Sequence, residues 1–230
     1  MKVGVITFPG TLDDRDALRA ASVAGTTAIS LWHDEADLKG VDAVILPGGF
    51  SYGDYLRCGA ISRFAPVMTK VIDAANGGMP LLGICNGFQI LIESGLLPGA
   101  LINNKNVKFL SQNVTLKVAS TNSIFTQDLS VGEKLDMPIA HRQGNFFASD
   151  DLLKKLQDDD QVEFTYDENP NGLFVVGTEP SIAAGSKEHL REMSNVSIAT
   201  PPSFTTSTQN PGVLAFTVLS YIASLSIVGR

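Results

Sequence analysis

Pro80-Leu81-Leu82-Gly83-Ile84-Cys85-Asn86-Gly87-Phe88-Gln89 carries a short apolar run, a glycine–x–cysteine–x–glycine turn and the opening of a helix that continues to Glu93. The run before the turn reads as a buried strand, Pro80 to Ile84. Gly83-Ile84-Cys85-Asn86-Gly87 then has the form of a nucleophile elbow with cysteine in the reactive position. On such an elbow the nucleophile sits on a strained strand-to-helix turn, where side chains at the flanking glycines would strike neighbouring backbone. The turn lifts Cys85 above the edge of a sheet and places it at a helix N-terminus. There the helix dipole is expected to lower the thiol pKa, and the N–H of Asn86 can face a developing oxyanion. A packing cysteine in a tight turn would share the local pattern, but the strand before and the helix after favour the nucleophile.

Outward from the elbow, strands alternate with helices. Lys2 to Thr7 is a β-branched run that stops at Pro9-Gly10. Thr11 or Asp13 can cap a helix running to Val23, with Leu12, Leu18 and Val23 expected inward and Gly25 ending it. Thr27 to Trp32 and Asp42 to Leu46 read as strands, the latter stopped by Pro47-Gly48-Gly49. From Gly59 to Asn76 the positions Ile61, Phe64, Met68, Val71, Ile72 and Ala75 recur at helical spacing until Gly77-Gly78. The expected fold class is α/β, a doubly wound, mainly parallel sheet with helices on both faces. Further on, Asn113 to Ala119, Met137 to His141 and Asn145 to Phe147 look like strands without helices between them, a β-rich insertion or an antiparallel edge. A short helix, Asp151 to Leu156, and a strand, Gln161 to Tyr166, follow.

Composition narrows the function classes. The 230 residues are 44% hydrophobic and 18% charged, with a formal charge of −7. No basic stripe is longer than Lys154-Lys155, so unaided nucleic-acid binding, which needs phosphate neutralisation, is not expected. Cys58 and Cys85 are too few for a disulfide framework, and no Cys or His pair has zinc-ligand spacing. The amino-terminal stretch is too brief for a signal peptide, which makes a reducing, cytoplasmic location the default.

Other residues bear on the chemistry. Pro47-Gly48-Gly49-Phe50-Ser51 follows a buried strand, so its bare N–H groups point at the sheet edge where ligands sit in doubly wound folds. Gly48 and Gly49 could supply the other half of an oxyanion hole. Gln89 falls one turn after Cys85, its amide either reaching the same mouth or solvated. Cys58 is assigned to packing, His33 to a surface or capping role, and Asp158-Asp159-Asp160 to a solvated loop without metal. A cysteine nucleophile usually works with a histidine base oriented by a carboxylate. Neither His141, at a strand end, nor His189, in an exposed helical stretch, is marked as that base.

These residues resemble the class I glutamine amidotransferase family. More closely, they resemble the small glutaminase subunits of phosphoribosylformylglycinamidine synthases. The likeness rests on Val3 to Thr11, on Leu46-Pro47-Gly48-Gly49-Phe50-Ser51-Tyr52-Gly53-Asp54-Tyr55-Leu56-Arg57, on the elbow through Gln89, and on Pro138-Ile139-Ala140-His141. It implies that Cys85 attacks the side-chain amide of glutamine through a thioester, releasing ammonia and then glutamate. Gly48, Gly49, Asn86 and Gln89 would form the oxyanion hole and glutamine site. It also implies partners: a large synthetase subunit that uses ATP and magnesium, and a small accessory subunit. No cofactor or metal is expected in this chain, and no membrane association. The stretch around His141 corresponds to a loop bordering the glutamine pocket, with Arg142-Gln143 where the family has Gly-Glu.

The resemblance stops near Gly172. The family closes its triad with a His-Pro-Glu element, and no His-Pro dipeptide occurs in this chain, so the partner His and Glu are unknown. Residues 173–230 hold three acidic and three basic residues and are rich in Ser and Thr. They close on an apolar run, Val213 to Val228, shorter than the ~20 residues of a membrane helix and expected to be a buried or unstructured tail. The division is therefore an amidotransferase domain, 1–172, and an atypical segment, 173–230, consistent with a frame shift. Two functional readings follow: the glutaminase subunit, or a catalytically impaired or non-catalytic docking subunit. A cysteine peptidase or hydrolase of the same superfamily is the third, disfavoured by the long subunit-specific strings.

Overall fold

Parallel strands buried on both faces need helical crossovers, and the alternation of short β-branched runs with amphipathic stretches supplies them. The computed structural model describes residues 1–171 and the backbone of 213–216. They fall into two compact units, the first comprising Met1–Pro98 together with the strand at 213–216, the second beginning at Gly99.

In the first unit β1 (Lys2–Thr7), α1 (Asp14–Val23), β2 (Thr27–Trp32), β3 (Ala43–Leu46), α2 (Pro66–Asn76), β4 (Leu81–Ile84) and α3 (Asn86–Glu93) follow in order. With β10 (Val213–Phe216) they make one five-stranded sheet, ordered β10-β4-β3-β1-β2 and parallel throughout. The chain moves one way from β1 to β2 and the other way from β3 to β4. With right-handed crossovers, α1 and α2 therefore lie on opposite faces. Val5, Ile6, Leu31, Leu46 and Leu81 are fully buried between the layers. Because the order reverses beside β1, the C-terminal ends of β1, β3 and β4 form the crevice where such sheets place ligands.

Two local expectations are corrected. Helix α1 turns Ala17 and Ala21 inward, four residues apart, while Leu12 and Val23 are exposed. The segment from Gly59 to Asn76 is not one helix. A 3-10 turn, Ser62–Phe64, ends at Ala65, which is extended (ψ 141), and α2 starts at Pro66. Proline at the first helical position forces its predecessor out of the α region, so Phe64 stays on the surface.

In the second unit β5 (Ala100–Ile102) pairs antiparallel with β8 (Asn145–Phe147), and β6 (Leu110–Val118) lies between β7 (Lys134–His141) and β9 (Phe164–Tyr166), both antiparallel to it. The antiparallel strands thus form sheets of their own. Helix α4 (Asp150–Asp158) begins at Ser149, whose hydroxyl accepts from the Leu152 N–H at 3.3 Å, and it buries Leu153 and Leu156. Beneath it Glu163 is buried and accepts from the Thr126 hydroxyl at 2.6 Å. Among the described residues, no helix is long and apolar enough to cross a membrane. The stretch around His189 and most of the apolar run from Val213 lie outside the described residues, β10 excepted.

Candidate active site

The elbow is built by close approach. A Cβ on Gly87 would land on the Leu46 carbonyl, and one on Gly83 would sit 2.5 Å from Leu91 and 3.0 Å from the Gly87 backbone. Only glycine at both positions lets β4 turn directly into α3 beside β3. Cys85, at the turn, is held at φ 50° and ψ −106°, a conformation L-residues avoid and one that costs on the order of 1–3 kcal/mol.

The Gly48-Gly49 corner reaches the nucleophile. A Cβ on Gly48 would lie 3.5 Å from the Cys85 Cβ and against the Asp13 carboxylate. Gly49 (φ 141°) bridges Thr11 in antiparallel fashion. The flanking bonds run from Leu12 N–H to Gly48 O (3.2 Å) and from Phe50 N–H to Gly10 O (2.9 Å). In a bridge of that type the Gly49 N–H points away from Thr11, leaving it available as an oxyanion donor.

Asn86 is buried behind the thiol. Its Oδ1 accepts from the Ser51 N–H (3.1 Å), and its Nδ2 donates to Asp54 Oδ1 (3.1 Å) and to Gln89 Oε1 (2.8 Å). Gln89 is buried too, so it is not a solvated helix residue. The Cys58 thiol bonds the Asp54 carboxylate, a polar role beyond packing. His33 is tied to the same loop through Nδ1, 2.7 Å from the Tyr52 hydroxyl.

The electrostatics reverse one expectation. Burial pushes the Cys85 thiol up to about 12, the Asp13 and Asp54 carboxylates push in the same direction, and the hydrogen bond from the Asn86 backbone only partly opposes them. The half-turn of dipole at the start of α3 does not outweigh desolvation beside two acids. Neither acid was singled out from the sequence as a neighbour of the nucleophile. The available signal was Asp54 standing in the loop directly after Gly48-Gly49, and Asp13 in the turn facing it.

His141, the last residue of β7, belongs to the second unit. It is buried, its ring packed against Gly144, and neither ring nitrogen has a hydrogen-bond partner among the described residues. Burial lowers its pKa to about 4. Asn104 organises the turn around it, donating to the His141 carbonyl and accepting from the Gly144 N–H, each at 3.0 Å.

The comparisons with known proteins agree with this geometry. Residues 1–178 match the family model of the CobB/CobQ-like glutamine amidotransferase domain. Over 172 residues the chain is 58% identical to a phosphoribosylformylglycinamidine synthase subunit PurQ from Rhodococcus jostii, covering 74% of this chain and 76% of that protein. It is 54% identical over 171 residues to the subunit of the same name from Mycobacterium tuberculosis, covering 74% and 76%. Among solved structures, that of PurLQS from Thermotoga maritima superposes with a TM-score of 0.76 at 31% identity, covering 95% of this chain and 86% of that one. With the cysteine elbow, the glycine corner and a family match over most of its length, the chain belongs to the glutamine amidotransferases.

Proposed function

We propose that the chain is the glutaminase subunit of a phosphoribosylformylglycinamidine synthase, by descent from the proteins it is similar to. The observation that carries this reading is the strained Cys85 turn with Gly48 packed against it. In this reading the Cys85 sulfur attacks the side-chain carbonyl carbon of glutamine, and negative charge gathers on the carbonyl oxygen. That oxygen meets the N–H groups of Gly49 and Asn86, while Gln89 holds the substrate. The C–N bond then breaks, ammonia leaves with the thiol proton, and water cleaves the thioester to glutamate and free thiol. The ammonia passes to a large synthetase subunit, which supplies ATP and magnesium, with a small accessory subunit completing a cytoplasmic complex. This chain itself holds no cofactor in the proposal.

A second reading, a catalytically impaired docking subunit, has its own support. The chain contains no His-Pro dipeptide to complete a triad, His33 is engaged by Tyr52, and the thiol is pushed away from thiolate. Loss of general acid–base help slows such chemistry by about 10²–10⁴-fold. The family match ends at residue 178, in line with 173–230 being a segment of different origin, such as a frame-shifted one. One experiment separates the readings. The chain and a chimaera carrying a family member's His-Pro-Glu segment in place of 173–230 are assayed for ammonia release with the synthetase. Turnover by both supports the active glutaminase. Turnover by the chimaera alone supports the impaired subunit, and silence from both defeats the glutaminase reading.

A further inference from the structure

The loop between Gly48 and Gly59 is held against α3 more firmly than an oxyanion corner requires. Tyr52, Asp54 and Leu56 all have φ between 52° and 70°, as does Gly53 at 70°. So many left-handed residues in one short loop persist only where the surroundings over-determine them. The attachments are specific. A Cβ on Gly59 would lie 2.7 Å from the Ile90 nitrogen, Arg57 bonds Glu93 at 2.6 Å, and the Tyr52 N–H bonds the Pro9 carbonyl at 2.6 Å. At the centre the Asp54 carboxylate, half-buried, accepts from both Asn86 and Cys58.

An ionised carboxylate only accepts. Facing Asp54, Asn86 must present its NH₂, and the same NH₂ donates to Gln89 Oε1. The Ser51 N–H on Asn86 Oδ1 fixes the same orientation from the other side. Gln89 therefore commits its oxygen to Asn86, and its NH₂ is the end left to meet a substrate oxygen. We propose that Asp54 is a positioning residue for the reaction at Cys85, acting through Asn86 to set which end of the Gln89 amide faces the substrate. This deepens the glutaminase reading and rests on it. Asp54 also faces the thiol, as do Asp13 and Cys58, so its charge disfavours thiolate in the empty site. Position and charge thus act on Cys85 in opposite senses.

That opposition makes the test. Full-length wild type, Asp54→Asn and Asp54→Glu are treated at about pH 8 with iodoacetamide, which senses only thiol ionisation and access. In parallel they meet a chloroketone analogue of glutamine, which must also be bound and aligned. Modification is counted on the Cys85 peptide by mass spectrometry. Asp54→Asn is expected to react several-fold faster with iodoacetamide and about tenfold or more slower with the analogue, with Asp54→Glu recovering most of the analogue rate. General loosening would move both probes the same way. Parallel changes, no change in either, or an Asp54→Asn protein without a cooperative thermal transition would overturn the proposal. A wild type that takes iodoacetamide but not the analogue defeats the glutaminase reading instead. The Asp54 relay is then judged from the side-chain amide resonances of Asn86 and Gln89: slow exchange lost in Asp54→Asn upholds it, and unaltered exchange ends it.

Discussion

Cys85 enters α3 in a conformation its own side chain disfavours, with its thiol pushed up to about 12. At neutral pH almost all of it is protonated, so its alkylation should rise about tenfold per pH unit from neutral into the mildly alkaline range. A rate by iodoacetamide mapping that levels off near neutrality would contradict this. Cys85→Ala should abolish labelling by the glutamine analogue while leaving the thermal midpoint nearly unchanged. His141 gives a second pH effect. Its folded pKa, about 4, lies below the ordinary 6.5, so the unfolded chain binds the proton more readily. Its contribution to stability is intact above 6.5 and is lost as pH falls towards 4, on the order of 3 kcal/mol in all. His141→Phe should flatten that acid limb in urea titrations. An unchanged limb would show that other groups set it.

Among the elements, the β4–α3 turn tolerates least. In Gly87→Ala the new methyl meets the Leu46 carbonyl of β3, backbone that cannot rotate aside. We expect a loss of about 1–3 kcal/mol in urea unfolding, together with slower labelling of Cys85. The turn was legible because glycine–x–cysteine–x–glycine between a strand and a helix has few other uses. The segment from Gly59 to Asn76 was less legible. Its apolar spacing continues through Pro66, but spacing carries no record of the backbone restriction that proline places on Ala65. Likewise α1 buries two alanines rather than its larger apolar residues, because it packs closely on the sheet.

For the molecule as a whole, β10 covers the outer side of β4, pairing Val213 with Leu81 through Phe216 with Ile84. Ending the chain after Gly172 should leave β4 as an open edge, and size-exclusion chromatography should show self-association with a lowered thermal midpoint. A monomer as stable as the full chain would refute that role. The amino-acid order alone determined the parallel α/β class, the nucleophile and the glycine corner, since each depends on local spacing and on which residues can occupy a tight turn. It also exposed the absence of a His-Pro pair, a matter of composition. Only the folded chain decided that Asp13 and Asp54, 72 and 31 positions before Cys85 in sequence, bear on its sulfur, and that Asn86 locks one loop to one helix. Those relations arise where three strand ends meet, and burial there outweighs the helix dipole because desolvation depends on everything packed around a group rather than on its neighbours along the chain.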